Sequence, residues 1–183
     1  KGAYTGEIWS QMAKESGANY SIIGHSERRA LGESDDVIAK KVLAAKKSKL
    51  IPIICVGETQ RDAHAEFLVF LKNQILGALS LCGKNVTKDI VIAYEPLWAI
   101  GKEANEAGSP HEIHQTSLLI RKVLIDAYGS SGKQVRVLYG GAVATENAAD
   151  IIKHGEVDGL LIGHKSLHAE DFLAILNEVS KIK

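Results

Sequence analysis

Five short apolar runs rich in β-branched residues, at 20–24, 51–56, 90–95, 135–139 and 159–163, alternate with longer amphipathic stretches. The runs carry little polar alternation, the pattern of strands that are covered on both faces and so lie parallel. The stretches near residues 7–17, 34–48, 62–81, 111–128, 145–154 and 169–181 read as helices. In the fourth of these, Ile113, Leu118, Ile120, Leu124, Ile125 and Tyr128 form an apolar stripe at helical spacing. Pro110 opens that helix and Gly129 closes it, the favoured asymmetry of helix ends. The order is a helix followed by five strand–helix units, which predicts an α/β fold with a parallel sheet. Five strands suit an open, doubly wound sheet, whereas a barrel needs more strands to close with tolerable tilt, and periodicity alone does not choose between the two.

A chain of 183 residues suits one domain with a real core, and no linker-like segment divides it. Lys and Arg number 22, as do Asp and Glu, so the net charge is zero. That balance argues against general nucleic-acid binding and against a basic membrane-facing surface, while leaving room for a local anion site. No apolar run approaches the ~18 residues of a membrane span. Two cysteines, Cys55 and Cys82, make no disulfide framework, and the expectation is a reduced, cytoplasmic protein. The chain opens on Lys1-Gly2, without a signal peptide and without an initiator Met. This suggests either that residues preceded it or that its frame is incomplete.

Parallel α/β folds collect their functional groups at the C-terminal ends of the strands. Those ends read Gly24-His25-Ser26-Glu27, Val56-Gly57-Glu58, Tyr94-Glu95-Pro96, Tyr139-Gly140-Gly141 and Ile162-Gly163-His164. A His and a Glu at one sheet edge can serve as electrophile and base toward one substrate. Glycines before helix starts offer N–H groups to a phosphate. Together they point to proton transfer on a small phosphorylated compound. Taken singly, His25 reads as a structural histidine, Glu95 as a satisfied carboxylate, Gly140-Gly141 as a tight turn and Glu27-Arg28-Arg29 as a solvated helix start. His111, Glu112 and His114 match no strong metal-ligand spacing.

Several segments resemble, in order, the motifs of the triosephosphate isomerase family. They are Gly2-Ala3-Tyr4-Thr5-Gly6-Glu7, Ile23-Gly24-His25-Ser26-Glu27-Arg28-Arg29, Cys55-Val56-Gly57-Glu58-Thr59, the nine-residue block from Ala93 to Gly101, Leu138-Tyr139-Gly140-Gly141 and Val157-Asp158-Gly159. The resemblance covers essentially the whole chain and implies a partial TIM barrel of five parallel βα units with an extra N-terminal helix. It implies action on dihydroxyacetone phosphate and glyceraldehyde 3-phosphate with no metal and no organic cofactor. It casts Glu95 as the carboxylate that moves the carbon-bound proton and His25 as the neutral imidazole that polarises the carbonyl. Residues 96–109 become a mobile lid hinged at Pro96-Leu97-Trp98. Gly101, Gly141, Ala142, Gly163 and His164 fall where the family's backbone holds the phosphate, with Ser26, Glu27 and Tyr139 in support.

The chain also departs from the family pattern. The family has three βα units before the Gly-Ala-Tyr-Thr-Gly loop, and they carry its active-site Asn and Lys. Neither Lys1 nor Lys165 stands in the place of that lysine. The lid, Gly101-Lys102-Glu103-Ala104-Asn105-Glu106-Ala107-Gly108, is about two residues longer than the family's and holds two carboxylates. Ala142 replaces a serine whose hydroxyl helps hold the closed lid. His164 adds a Cβ where backbone meets phosphate, though His164 and Lys165 also add positive character. Three readings follow: a fragment of an ordinary isomerase, a shortened member with weak or no activity and residual phosphate binding, or a vestigial structural or assembly module with no ligand. A barrel short of three strands leaves two open edges and an uncovered face, which predicts a homo-oligomer, dimer or tetramer.

Overall fold

The computed structural model describes residues 3–62, 64–84 and 87–182, so Lys1 and Gly2 of the opening motif lie outside the described residues. Five strands form one parallel sheet: β1 (Tyr20–Ile23), β2 (Ile51–Val56), β3 (Val91–Tyr94), β4 (Arg136–Tyr139) and β5 (Gly159–Leu160). Their order in space is their order in the chain. That decides between the two architectures left open by periodicity. A doubly wound sheet reverses its strand order at a switch point; here every crossover steps the same way, as in a barrel wall.

The helices are α1 (Ser10–Glu15), α2 (Ser26–Ala30), α3 (Asp35–Lys47), α4 (Glu66–Leu79), α5 (Pro110–Tyr128), α6 (Thr145–Gly155) and α7 (Ala169–Ser180). From α3 to α7 each packs on the next. Several ends differ from the sequence pattern for local reasons. The expected helix at 7–17 is trimmed to α1, with Trp9 at its N-cap and Gly17 at φ +95° beyond its end. The expected helix at 62–81 starts only at Glu66, because the Asp62 carboxylate accepts the N–H groups of His64, Glu66 and Phe67 at 2.8–2.9 Å. The run at 159–163 yields only two strand residues, the ladder ending where the Leu161 N–H donates to the Tyr139 carbonyl.

The core lies between the sheet and its helices. The register row Ile23, Ile54, Ile92 and Val137 packs there against Ile38, Val42, Leu71, Ile75, Ile120 and Leu124. The opposite face carries the next row, Ile22, Ile53, Val91 and Arg136, and it is covered unevenly: Val91 is 3% exposed, whereas Ile22 on β1 is 53% exposed. Tyr20 on the β1 edge is 48% exposed. Near the opening loop, Tyr4, Ile8, Trp9 and Val37 line an open groove of about 770 Å³ with Arg28 and Lys41.

Candidate active site

The ladder continues one residue past two strands and so places the chemistry. The Glu95 N–H donates to the Val56 carbonyl at 2.8 Å, and the Gly140 N–H donates to the Tyr94 carbonyl at 2.8 Å. Both neighbouring turns must be glycine. A Cβ on Gly57 would land on the Glu95 carbonyl, and one on Gly140 would sit 2.9 Å from Glu95 Cγ. Glu95 is thus held between two close-packed turns and is only 2% exposed.

His25 comes from the end of β1, across β2 from the strand that carries Glu95, as the N-cap of α2. The Glu27 N–H donates to its Nδ1 at 3.3 Å, which leaves Nε2 to carry the ring proton in the neutral form. That Nε2 stands 3.5 Å from Glu95 Oε1. Burial raises the Glu95 carboxyl above the ordinary glutamate range, while His25, Cys55 and the Ser26 N–H oppose the rise. Among the described residues, Glu95 Oε2 is buried without a hydrogen-bond partner. Buried polar atoms are rarely left so, except where strain or chemistry uses them. Burial also pushes the adjacent Cys55 thiol far up, with Glu95 adding to the effect.

Behind the pair lies a network that motif reading passed over. Glu58 is 1% exposed, and its Oε1 accepts from Tyr94 Oη at 2.8 Å, Trp98 Nε1 at 3.0 Å and Arg61 Nε at 3.3 Å. The Arg61 Nη2 reaches on to Thr116 Oγ1 and the Glu112 carbonyl, and its guanidinium lies over the Phe67 and Trp98 rings. Trp98 is the hinge of the segment expected to be a lid, so this buried carboxylate anchors the lid's N-terminal end. The Arg29 Nε donates to the Gly24 carbonyl at 2.9 Å and its Nη1 reaches Asp35. Arg29 therefore braces the His25 turn, where the bare sequence read as a solvated run.

The lid's other end is also pinned. The Gly108 N–H donates to Tyr139 Oη at 3.2 Å. Burial raises the Tyr139 phenol to about 12, so at neutral pH it keeps its proton. Within the lid, Lys102 pairs with Glu106 at 3.4 Å, and Glu106 Oε2 accepts the Glu103 N–H. One of the two lid carboxylates is thereby engaged inside the lid itself.

The expected phosphate residues fall into two groups. Gly101 turns the lid at φ +68°, and Gly141 sits where a Cβ would strike the Tyr139 hydroxyl. Ala142 is nearly buried, with its carbonyl bound by Asn147. Gly163 and His164 lie beyond the end of β5 and are exposed. Among the described residues, no hydrogen bond joins them to the lid or to the Gly141 turn. The Gly163 carbonyl accepts from Ser166 N and Oγ, and the His164 ring stands edge-on to His168 at 6.0 Å. Ser26 is half-buried at the start of α2, and the Glu27 side chain is exposed. His111 meets Gln115, and His114 faces Glu156. Among the described residues, no helix is long and apolar enough to cross a membrane.

Comparison with known proteins bears on the family and the fold. The family model described as triosephosphate isomerase matches residues 1–179. Among curated relatives, the triosephosphate isomerase of Shewanella piezotolerans is 44% identical over 177 residues, covering 95% of this chain and 67% of its own length. That of Hyphomonas neptunium is 46% identical over 178 residues, covering 96% and 70%. The crystal structure of triosephosphate isomerase from Bartonella henselae superposes with a TM-score of 0.86 at 37% identity, covering 98% of this chain and 73% of that one. With a matching family model, relatives above 40% identity and a superposing solved structure, the chain belongs to the triosephosphate isomerase family.

Proposed function

We propose that this chain carries the proton-transfer pair of a site for dihydroxyacetone phosphate and glyceraldehyde 3-phosphate, and that the 183 residues by themselves interconvert them very slowly or not at all. The observation that carries the first part is the pairing of His25 Nε2 with Glu95 Oε1 at 3.5 Å, with His25 Nδ1 occupied by a backbone donor. Glu95, made more basic by burial, takes the proton from the carbon beside the carbonyl. The electron pair of that C–H bond moves toward the carbonyl oxygen, and the His25 Nε2–H stabilises the charge that collects there. His25 gives its Nε2 proton to that oxygen and takes the hydroxyl proton from the oxygen on the neighbouring carbon. Return of the proton from Glu95 to the old carbonyl carbon completes the exchange, with the carbonyl moved by one carbon.

The second part rests on the cation. In the family, a lysine and an asparagine from units before the opening loop serve the developing charge, and these 183 residues hold no counterpart. Lys165 is no substitute, since its Nζ faces Asp171 at 3.5 Å. Loss of one preorganised donor slows such a step by about 10²–10³, and loss of a charge with it by more. Gly101, Gly141, Ala142, Gly163 and His164 would hold the phosphate, with Ser26, Glu27 and Tyr139 in support. The proposed setting is the cytoplasm and glycolysis, by family resemblance, and the half-exposed apolar side chains of β1 support a homo-oligomer.

The test is an isomerase assay with glyceraldehyde 3-phosphate on chain freed of host enzyme, beside a Glu95→Gln control. A residual rate at least ~10²-fold below a full-length relative, abolished by the control, is expected. A rate untouched by the control would overturn the assignment of the base, and a full rate would overturn the role given to the absent cation. Titration with inorganic phosphate separates the remaining readings. Absence of both turnover and phosphate binding would leave a structural or assembly module.

A further inference from the structure

The lid of this chain is held at a third point, between its two pinned ends. Asn147 stands in the first turn of α6, and its Oδ1 accepts the Ala144 N–H at 2.9 Å. That bond fixes the orientation of the amide, because the two remaining partners are both carbonyls and need a donor. The Asn147 Nδ2 donates to the Ala142 carbonyl at 2.8 Å and to the Ala104 carbonyl at 3.2 Å. Ala104 opens a short 3-10 turn, Ala104–Glu106, in the middle of the lid. Ala142 lies in the turn after β4, at the position where the family's serine hydroxyl helps hold the lid. One half-buried amide therefore bridges the two segments that the alanine no longer joins.

We propose that Asn147 is a positioning residue that latches the lid to the turn after β4, with its amide nitrogen as the donor shared between them. The proposal rests on the reading of residues 96–109 as the lid, and it concerns where the lid rests rather than any contact with substrate. The amide splits its tasks by atom: Oδ1 caps α6, and Nδ2 holds the lid. Asn147→Asp keeps the first and reverses the second, since a carboxylate still accepts the Ala144 N–H but turns a lone pair toward both carbonyls. Asn147→Ala removes both.

Amide-resolved hydrogen exchange on the whole chain tests this without recourse to turnover, so its failure is separate from failure of the isomerase assignment. The readout is the exchange of the Ala107 and Gly108 amides against that of Ala148 in α6. Asn147→Asp is expected to speed the two lid amides about 3- to 10-fold, the effect of a lost hydrogen bond, with Ala148 unchanged. Asn147→Ala is expected to speed the lid and Ala148 together. Lid exchange in Asn147→Asp equal to that of the parent would overturn the latch. So would an equal acceleration of lid and α6 in that variant, which would mean that Asn147 acts on the helix alone.

Discussion

Glu95 is a carboxylate held where water solvates it poorly, and its consequence for stability has a definite sign. Burial raises its pKa in the folded chain above that of the unfolded chain. The folded state therefore binds this proton more tightly, and the associated stability is present below the ordinary glutamate pKa and lost as pH rises through the folded value. At pH 7 the buried charge is destabilising. Glu95→Gln is expected to raise Tm at pH 7 and to leave it near the parent's at pH 4, as thermal unfolding at the two pH values would show. A variant less stable than the parent at pH 7 would contradict the assignment of burial as the dominant influence. At this scale the sequence was most legible: His25 and Glu95 were readable as a pair because each sits at a strand end. Glu58 was visible only as another strand-end residue, because what it does depends on Arg61, Tyr94 and Trp98 converging on one oxygen.

Among the elements, the lid is the one whose position depends on partners far away in the chain. Glu58, 40 residues before Trp98, receives the hinge indole, and Tyr139, 31 residues after Gly108, receives the far end. Glu58→Ala would leave Arg61 and two donors facing a space without their acceptor. Breaking such a buried pair typically destabilises by about 3–5 kcal/mol. A loss in that range by urea unfolding, with a change in Trp98 emission, is the expected outcome. A change within about 0.5 kcal/mol would show the network to be idle. The helix patterns foretold that α3, α5, α6 and α7 exist and roughly where each begins and ends. A helix start after His25 was legible in Glu27-Arg28-Arg29, but neither the short extent of α2 nor the delayed start of α4 was foretold. Those turn on single side chains, His25 capping α2 through its Nδ1 and Asp62 gathering three N–H groups, which carry no periodic signal.

For the whole molecule, the sheet is covered well on one face and unevenly on the other, where exposure concentrates at β1. Ile22 and Tyr20 are about half exposed near β1, and Leu167 beyond β5 is 73% exposed. Apolar surface of this kind, next to an open strand edge, favours association. Sedimentation of the 183-residue chain is expected to show dimers or larger species at micromolar concentration, and Ile22→Lys to shift them toward monomer. A clean monomer for the parent, or no response to Ile22→Lys, would count against the open face as the seat of association.

The sequence by itself determined that the chain is α/β with five parallel strands, because short apolar runs separated by helical stretches are joined by crossover connections. It also placed four of the five strand ends to within a residue, while the fifth run, at 159–163, ends as a strand at Leu160. Only the tertiary structure decided that the sheet is a barrel wall rather than a doubly wound layer. Strand order is a matter of which edges pair across crossovers, and no local pattern encodes it. Only the tertiary structure, likewise, turned a His and a Glu some 70 residues apart into a pair at 3.5 Å, oriented by a single backbone N–H. Distance in space is set by packing summed over the whole core, whereas the sequence records only the order in which the parts arrive.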